Sequence, residues 1–137
     1  MVIVYAVKGF DGANLPLDNP LQVPAHRYSG RVLASGKEAV RTTPKFERGR
    51  LLGDVVFVSG TAAIKGEDSE FSEDTRVQAL GAIDVVEHLV APSNISPDCS
   101  AFRFGYLRVY VRRPQDLEPV REMFISHFKD TPIHFLQ

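Results

Sequence analysis

One cysteine and no tryptophan occur among the 137 residues. A single thiol cannot close an internal disulfide, and no Cys/His spacing matches a zinc site, so neither a disulfide framework nor a metal is expected. That cysteine usage fits a reducing compartment, the cytoplasm. Net charge is nearly absent too, with 16 Lys and Arg against 17 Asp and Glu and a formal charge of -1. The balance removes the sequence-independent pull toward phosphate backbones and argues against nucleic acid as a partner. Long apolar runs are missing: Val2 to Val7 stops at Lys8. Such a run is too short for a membrane span, and it lacks the basic start and small-residue cleavage site of a secretory signal. No repeat or low-complexity tract appears, and no cofactor is implied.

What is present is ordinary for a globular chain, 44% hydrophobic and 24% charged. The length predicts one domain, residues 1–137, with an extended amino-terminal segment over 1–44 and a core over 45–137. Val2–Lys8 reads as a strand. Pro16, Pro20, Pro24, Gly30 and Gly36 then make Gly9 to Pro44 mostly extended loop, with brief pairing at Arg31–Ala34. Gly53-Asp54 between Lys45–Leu52 and Val55–Ser59 predicts a hairpin, continued by Thr61–Ile64 and a polar loop at Lys65–Asp68. Ser72 is the expected N-cap of a helix whose stripe is Ala79, Ala82, Ile83, Val86, Leu89 and Val90, stopped by Pro92. Ala101–Arg112 reads as one long strand. Pro114 fits the first turn of a second helix with Leu117, Val120, Phe124 and Phe128 buried, and Ile133–Gln137 begins a last strand.

Two amphipathic helices can cover one face of a mixed four- or five-stranded sheet, which predicts an α+β two-layer sandwich. Val55-Val56-Phe57-Val58 is apolar at consecutive positions and is expected to be buried on both sides. With both helices on one face, a neighbouring chain is the simplest second cover, so an oligomer is expected.

Few residues carry a chemical signal. Ser59-Gly60-Thr61 closes an apolar strand and could present a hydroxyl and backbone N–H groups to a ligand, or it could simply turn the chain. The flanking residues are not Gly-x-Ser-x-Gly, which argues against a serine hydrolase. Arg108, Tyr110 and Arg112 alternate along one strand face, about 7 Å apart. Two guanidiniums around a phenol suit a small unsaturated carboxylate through bidentate hydrogen bonds and stacking. A polar sheet face in water fits the same pattern. Arg121 borders a helix stripe and reads as solvated. His88 and His127 fall near helix carboxyl ends, where imidazole is favourable for structural reasons. His134 alternates with Ile133 and Phe135 in the last strand, and Cys99 reads as inert.

Phe57-Val58-Ser59-Gly60-Thr61-Ala62-Ala63-Ile64-Lys65-Gly66, followed by a helix with Gln78, resembles the YjgF/RidA (reactive intermediate deaminase) superfamily, as does the Leu107–Asp116 junction. Within it the chain is most similar to the chorismatase branch, enzymes that hydrolyse chorismate. That likeness rests on Asn19-Pro20-Leu21-Gln22-Val23-Pro24-Ala25-His26-Arg27-Tyr28, Pro44-Lys45-Phe46-Glu47-Arg48, Ser59-Gly60-Thr61-Ala62, Arg108-Val109-Tyr110-Val111-Arg112 and Phe135-Leu136-Gln137. The resemblance implies the YjgF/chorismate-mutase-like sandwich, a homotrimer, and a subunit-interface pocket for a small anionic molecule. It would be lined by Phe46, Ser59, Gly60, Thr61, Ala62, Arg108, Tyr110, Arg112 and His134.

The chain also departs from these families. In chorismatases the strand that begins like Phe135-Leu136-Gln137 runs on through a Cys-Arg pair to a Glu-Ile-Glu segment with the catalytic carboxylate. That final strand is expected to be lacking here, and no catalytic residue is assigned. Glu67 stands where chorismatases usually have histidine. In the deaminases an arginine two residues after a proline of the last strand grips the substrate, whereas Pro132 is followed here by Ile133 and His134. Three functions are implied: a hydrolase of chorismate-like enol ethers with Glu67 or Glu47 as displaced acid, an enamine/imine deaminase using His134 or Arg112, and a non-catalytic binding member.

Overall fold

In the computed structural model, which describes residues 8–29, 45–69, 73–96 and 100–137, the longest apolar stripe becomes the longest helix, α1 over Thr75–Val90. Its N-cap is Asp74, whose Oδ1 accepts from the Arg76 N–H at 2.8 Å, rather than the expected Ser72. Ser72, Val2–Val7, Arg31–Ala34 and Cys99 lie outside the described residues. The buried face of α1 is broader than the expected stripe: Gly81 and Val85 are buried, while Ala82 and Val86 are half-buried. The Asn19 side chain reaches this flank, its Nδ2 donating to Val85 O at 2.7 Å, and a later helix also packs beside α1. Pro92 does more than stop α1, since it opens a short helix α2 over Pro92–Ile95. There Asn94 Nδ2 donates to Leu89 O at 2.8 Å, satisfying a carbonyl of the last turn of α1.

Three antiparallel strands follow one another in space: β1 (Asn14–Leu17), β2 (Gly49–Leu52) and β3 (Val55–Val58). β2 and β3 form the expected hairpin, shorter than 45–59 and closed by Gly53 at φ +59°. β1 arises in the stretch read as loop; Pro16 is tolerated there because β1 is an edge strand. Ile64–Lys65 (β4) and Asp68–Ser69 (β5) make a second small hairpin, so Thr61–Ala63 is not strand. Leu107–Tyr110 (β6) and Ile133–Leu136 (β7) pair in parallel. The long strand expected over 101–112 is therefore four residues, as long as its partner allows. Pro132, just before β7, still accepts from the Leu107 N–H at 3.0 Å, and the ladder starts there.

Helix α3 (Leu117–His127) follows a single 3-10 turn at Pro114–Asp116. One buried cluster joins Ala79 of α1, Val109 of β6, Val111 just after it, and Val120 of α3. A second joins Leu17, Leu51 and Leu89, with Val56, Ile95 and Phe102 against it. α1 contributes to both, so the helices share one side of the ladders and the two-layer α+β arrangement forms. At Gly49 an added Cβ would lie 3.2 Å from Leu89 Cδ2 and 3.1 Å from Phe57 O, so glycine lets α1 approach β2 closely. Two expectations need correction. Among the described residues the strands form three separate ladders, not one sheet. Val55–Val58 is not doubly buried within the chain either: Val55 is 53% and Val58 38% exposed, while Val56 packs into the core. Among the described residues no helix is long and apolar enough to cross a membrane.

Candidate functional site

Asn19 is buried at 3% exposure, and its Nδ2 donates to Val85 O in α1 at 2.7 Å while its Oδ1 accepts from the Leu21 N–H at 2.9 Å. Gln22 Nε2 donates to Ile64 O at 3.1 Å. Val23 N–H and Gly66 O, and Gly66 N–H and Leu21 O, tie the same segment to the β4–β5 turn. Asn-Pro-Leu-Gln-Val is therefore a staple: it uses side-chain amides to satisfy buried backbone groups, and so fixes the path of the chain into the 3-10 turn Ala25–Arg27. Tyr28 emerges from that turn beside Arg48.

Arg48 is the residue that sequence reasoning missed as part of a site. It is only 6% exposed, with its guanidinium 5.5 Å from the Tyr28 ring centroid and 5.1 Å from that of Phe46. Its Nη2 donates to Val23 O at 3.0 Å and to the Tyr28 hydroxyl. Its Nε is buried without a hydrogen-bond partner, and among the described residues no carboxylate pairs with it. The one sequence signal for it was its place in Pro44-Lys45-Phe46-Glu47-Arg48. A buried cation that stacks on two rings, with no carboxylate beside it among the described residues, favours an anion nearby.

Ser59 stands across the end of the β2–β3 ladder from Arg48, its N–H donating to Arg48 O at 3.0 Å. Its hydroxyl donates to Glu47 O at 2.5 Å, and Thr61 Oγ1 donates to Ser59 O at 2.9 Å. Gly60 has open space where a Cβ would point, and Ala62 is exposed. Phe46, Arg48 and Ser59–Ala62 thus form one neighbourhood. The two carboxylates considered as acids are both engaged: Glu67 accepts from Ser29 N–H and Oγ at 2.8 and 2.5 Å, and Glu47 forms a bidentate pair with Arg50 at 2.9 and 3.1 Å.

Arg108, Tyr110 and Arg112 are exposed on the side of β6 away from the helices, as the alternation predicts. His134 is the register partner of Arg108 on β7 and is exposed with it. The Arg108 guanidinium lies 5.7 Å from the Tyr106 ring centroid. Hydrogen bonding to the Tyr106 phenol, backed by Tyr110, raises the Arg108 pKa further, so it remains cationic at every working pH. Both neighbourhoods occupy helix-free faces of their ladders. No hydrogen bond or ion pair among the described residues joins them. Surface depressions of about 390 and 430 Å³ lie elsewhere, around α3, and hold none of these residues. His88 and His127 are tied to Asp84 and Glu87. No group of three His, Cys, Asp or Glu among the described residues could hold a metal.

No family model matches the chain. In sequence it is 30% identical, over 149 aligned positions, to a 3-hydroxybenzoate synthase of Streptomyces hygroscopicus, covering 98% of this chain and 42% of that protein. It is 27% identical over 133 positions to a chorismatase of Streptomyces rapamycinicus, covering 89% and 38%. A solved chorismatase structure superimposes with a TM-score of 0.79 at 24% identity, over 92% of this chain and 39% of that one. The chain spans about two fifths of the length of the curated relatives it matches. Its sequence relatives are of the chorismatase-like branch, and its fold is the one seen in chorismatase.

Proposed function

We propose that the chain is a chorismatase-like domain that binds a small carboxylate of the chorismate type on the helix-free side of its ladders, in a pocket completed between subunits. The observation that carries this reading is a pair of available cations: neither Arg48 nor Arg108 meets a carboxylate among the described residues, and the buried Arg48 Nε has no hydrogen-bond partner. Phe46 and Ser59–Ala62 would form one wall, with Arg48 supplying charge beneath it. Arg108, Tyr110, Arg112 and His134 would form the other. Among the described residues no hydrogen bond or ion pair links the two walls, which suits a homotrimer in which they meet across an interface that also covers Val55. The relatives' printed names, 3-hydroxybenzoate synthase and chorismatase, support chorismate-derived chemistry.

Hydrolysis of an enol ether needs a carboxylic acid able to donate a proton. Glu67 is held by both donors of Ser29 and Glu47 by the Arg50 guanidinium, so neither is poised for that step. This favours binding without turnover by the chain itself. The deaminase reading keeps one supporting observation, His134 on the same face as Arg108 and in register with it. Incubating the purified chain with chorismate and following it by chromatography separates the readings. Chorismate bound and recovered intact is the expected result. Its conversion would establish catalysis, and absence of binding would overturn the carboxylate site.

A further inference from the structure

Helix α3 and strand β7 do not meet flush. Between them lies a groove of about 390 Å³, and every residue that lines it is described. Small-molecule sites run from about 300 to 1,000 Å³, so the groove suits a ligand of one or two rings. Two of its walls are themselves rings, Phe128 and Phe135. Both belong to an aromatic cluster: Phe128 stands edge-on to Phe104 with centroids 5.0 Å apart, and Phe135 edge-on to Phe124 at 6.4 Å. Leu117 and Ile133 add half-buried apolar surface, and Ile125 is exposed at the margin. A planar ring in the groove would extend the cluster, because aromatic pairs favour edge-to-face and offset contact.

The charge of the lining has one sign. Its ionised residues are Arg121 and Lys129, and none is acidic. Arg121 sits mid-helix with its side chain 53% exposed, and its pairing with Glu118, which does not line the groove, is a loose 3.5 Å. An exposed pair of that kind contributes little and yields readily to a second carboxylate. Lys129 follows the carboxyl end of α3, where it offsets the partial negative charge of the last carbonyls. An anion is therefore favoured at Arg121 rather than at the helix end.

We propose that this groove binds a small aromatic carboxylate, its ring against Phe128 and Phe135 and its carboxylate at Arg121. It is a second ligand site, distinct from the one proposed above. Ile133 and Phe135 pack toward the helices, whereas His134 between them is exposed in register with Arg108. The two sites thus use opposite faces of β7, as the alternation of a strand allows, and no residue of the Arg48 or Arg108 neighbourhood lines the groove. The charge pattern selects the ligand. A cation of the same shape would meet Arg121 and Lys129, and an uncharged ring would gain nothing from either.

The probe is 2-naphthoate, titrated into the full chain with its isoleucine methyl groups labelled for NMR. A Kd of about 1 mM or tighter is expected, the scale for a ligand of this size. The methyl signals of Ile125 and Ile133 should shift, while those of Ile64 and Ile95, outside the groove, should stay. 2-Naphthylmethylammonium, the same ring carrying a cation, should bind at least about tenfold more weakly. Arg121→Gln, an exposed change that should leave thermal unfolding unaltered, should weaken naphthoate about fivefold, the size of one partly exposed charge-assisted contact. Chorismate should neither shift Ile125 and Ile133 nor displace naphthoate from them, so each site can fail without the other. Equal affinity for the carboxylate and the ammonium, unmoved Ile125 and Ile133 signals, or wild-type affinity in Arg121→Gln would overturn the proposal.

Discussion

Arg48 and Arg50 are two residues apart in an alternating charged run, Glu47-Arg48-Gly49-Arg50, yet they meet opposite fates. Arg50 is partly exposed and paired with Glu47, while Arg48 is buried between two rings. Nothing in the local sequence separates them, because the burial of Arg48 comes from Val23 and Tyr28, far along the chain. Asn19 shows the same limit. Its motif is visible in the sequence, but its partner, the Val85 carbonyl, is fixed only when α1 docks. Asn19→Ala would leave that buried contact and the Leu21 amide without partners, a loss of about 1–3 kcal/mol. Urea unfolding should show a lower midpoint with an unchanged slope; an unaltered midpoint would mean that the staple carries no stability.

At the scale of elements, what was legible followed from local chemistry. Gly53 at positive φ closes the hairpin at the Gly-Asp turn, and the stripe of α3 turns to the core as its spacing predicts, with Val120 buried, Leu117 and Phe124 half-buried, and Phe128 buried just past the helix end. What was not legible depended on partners: β6 is cut to the length of β7, and β1 exists because β2 offers it an edge. The start of α1 shifted because Asp74 can accept the Arg76 amide. Asp74→Ala should therefore cost about 1 kcal/mol, measured by thermal unfolding, with no change if the cap is idle. The turn into α3 has a second acidic device. Hydrogen bonding from Arg113, backed by Thr75, holds the Asp116 carboxyl below its ordinary value of 3.8. A depressed carboxyl stabilises the fold above the unfolded value and loses that contribution as pH falls through the folded value. Asp116→Asn should lower Tm at neutral pH and leave it unchanged near pH 2. An equal drop at both would show that charge plays no part.

At the scale of the whole molecule, the two-layer arrangement was readable from two apolar stripes and the order of elements. The exposure of β3 was not, because consecutive apolar residues in Val55–Val58 do not say whether cover comes from the same chain. The exposure of Val55, with the two arginine-centred neighbourhoods on helix-free faces, is the basis for the proposed trimer. Light scattering should give three times the protomer mass at micromolar concentration; a folded monomer would contradict it. The carboxylate site itself is tested by calorimetric titration of chorismate into the wild-type chain and into Arg108→Ala, whose thermal unfolding should match. Saturable binding to the wild type, weakened about tenfold or more in the variant, is the predicted result, on the scale of one charge-assisted hydrogen bond. Equal affinity for both chains, or no binding to either, would contradict it and leave the Arg108 face a solvated sheet surface.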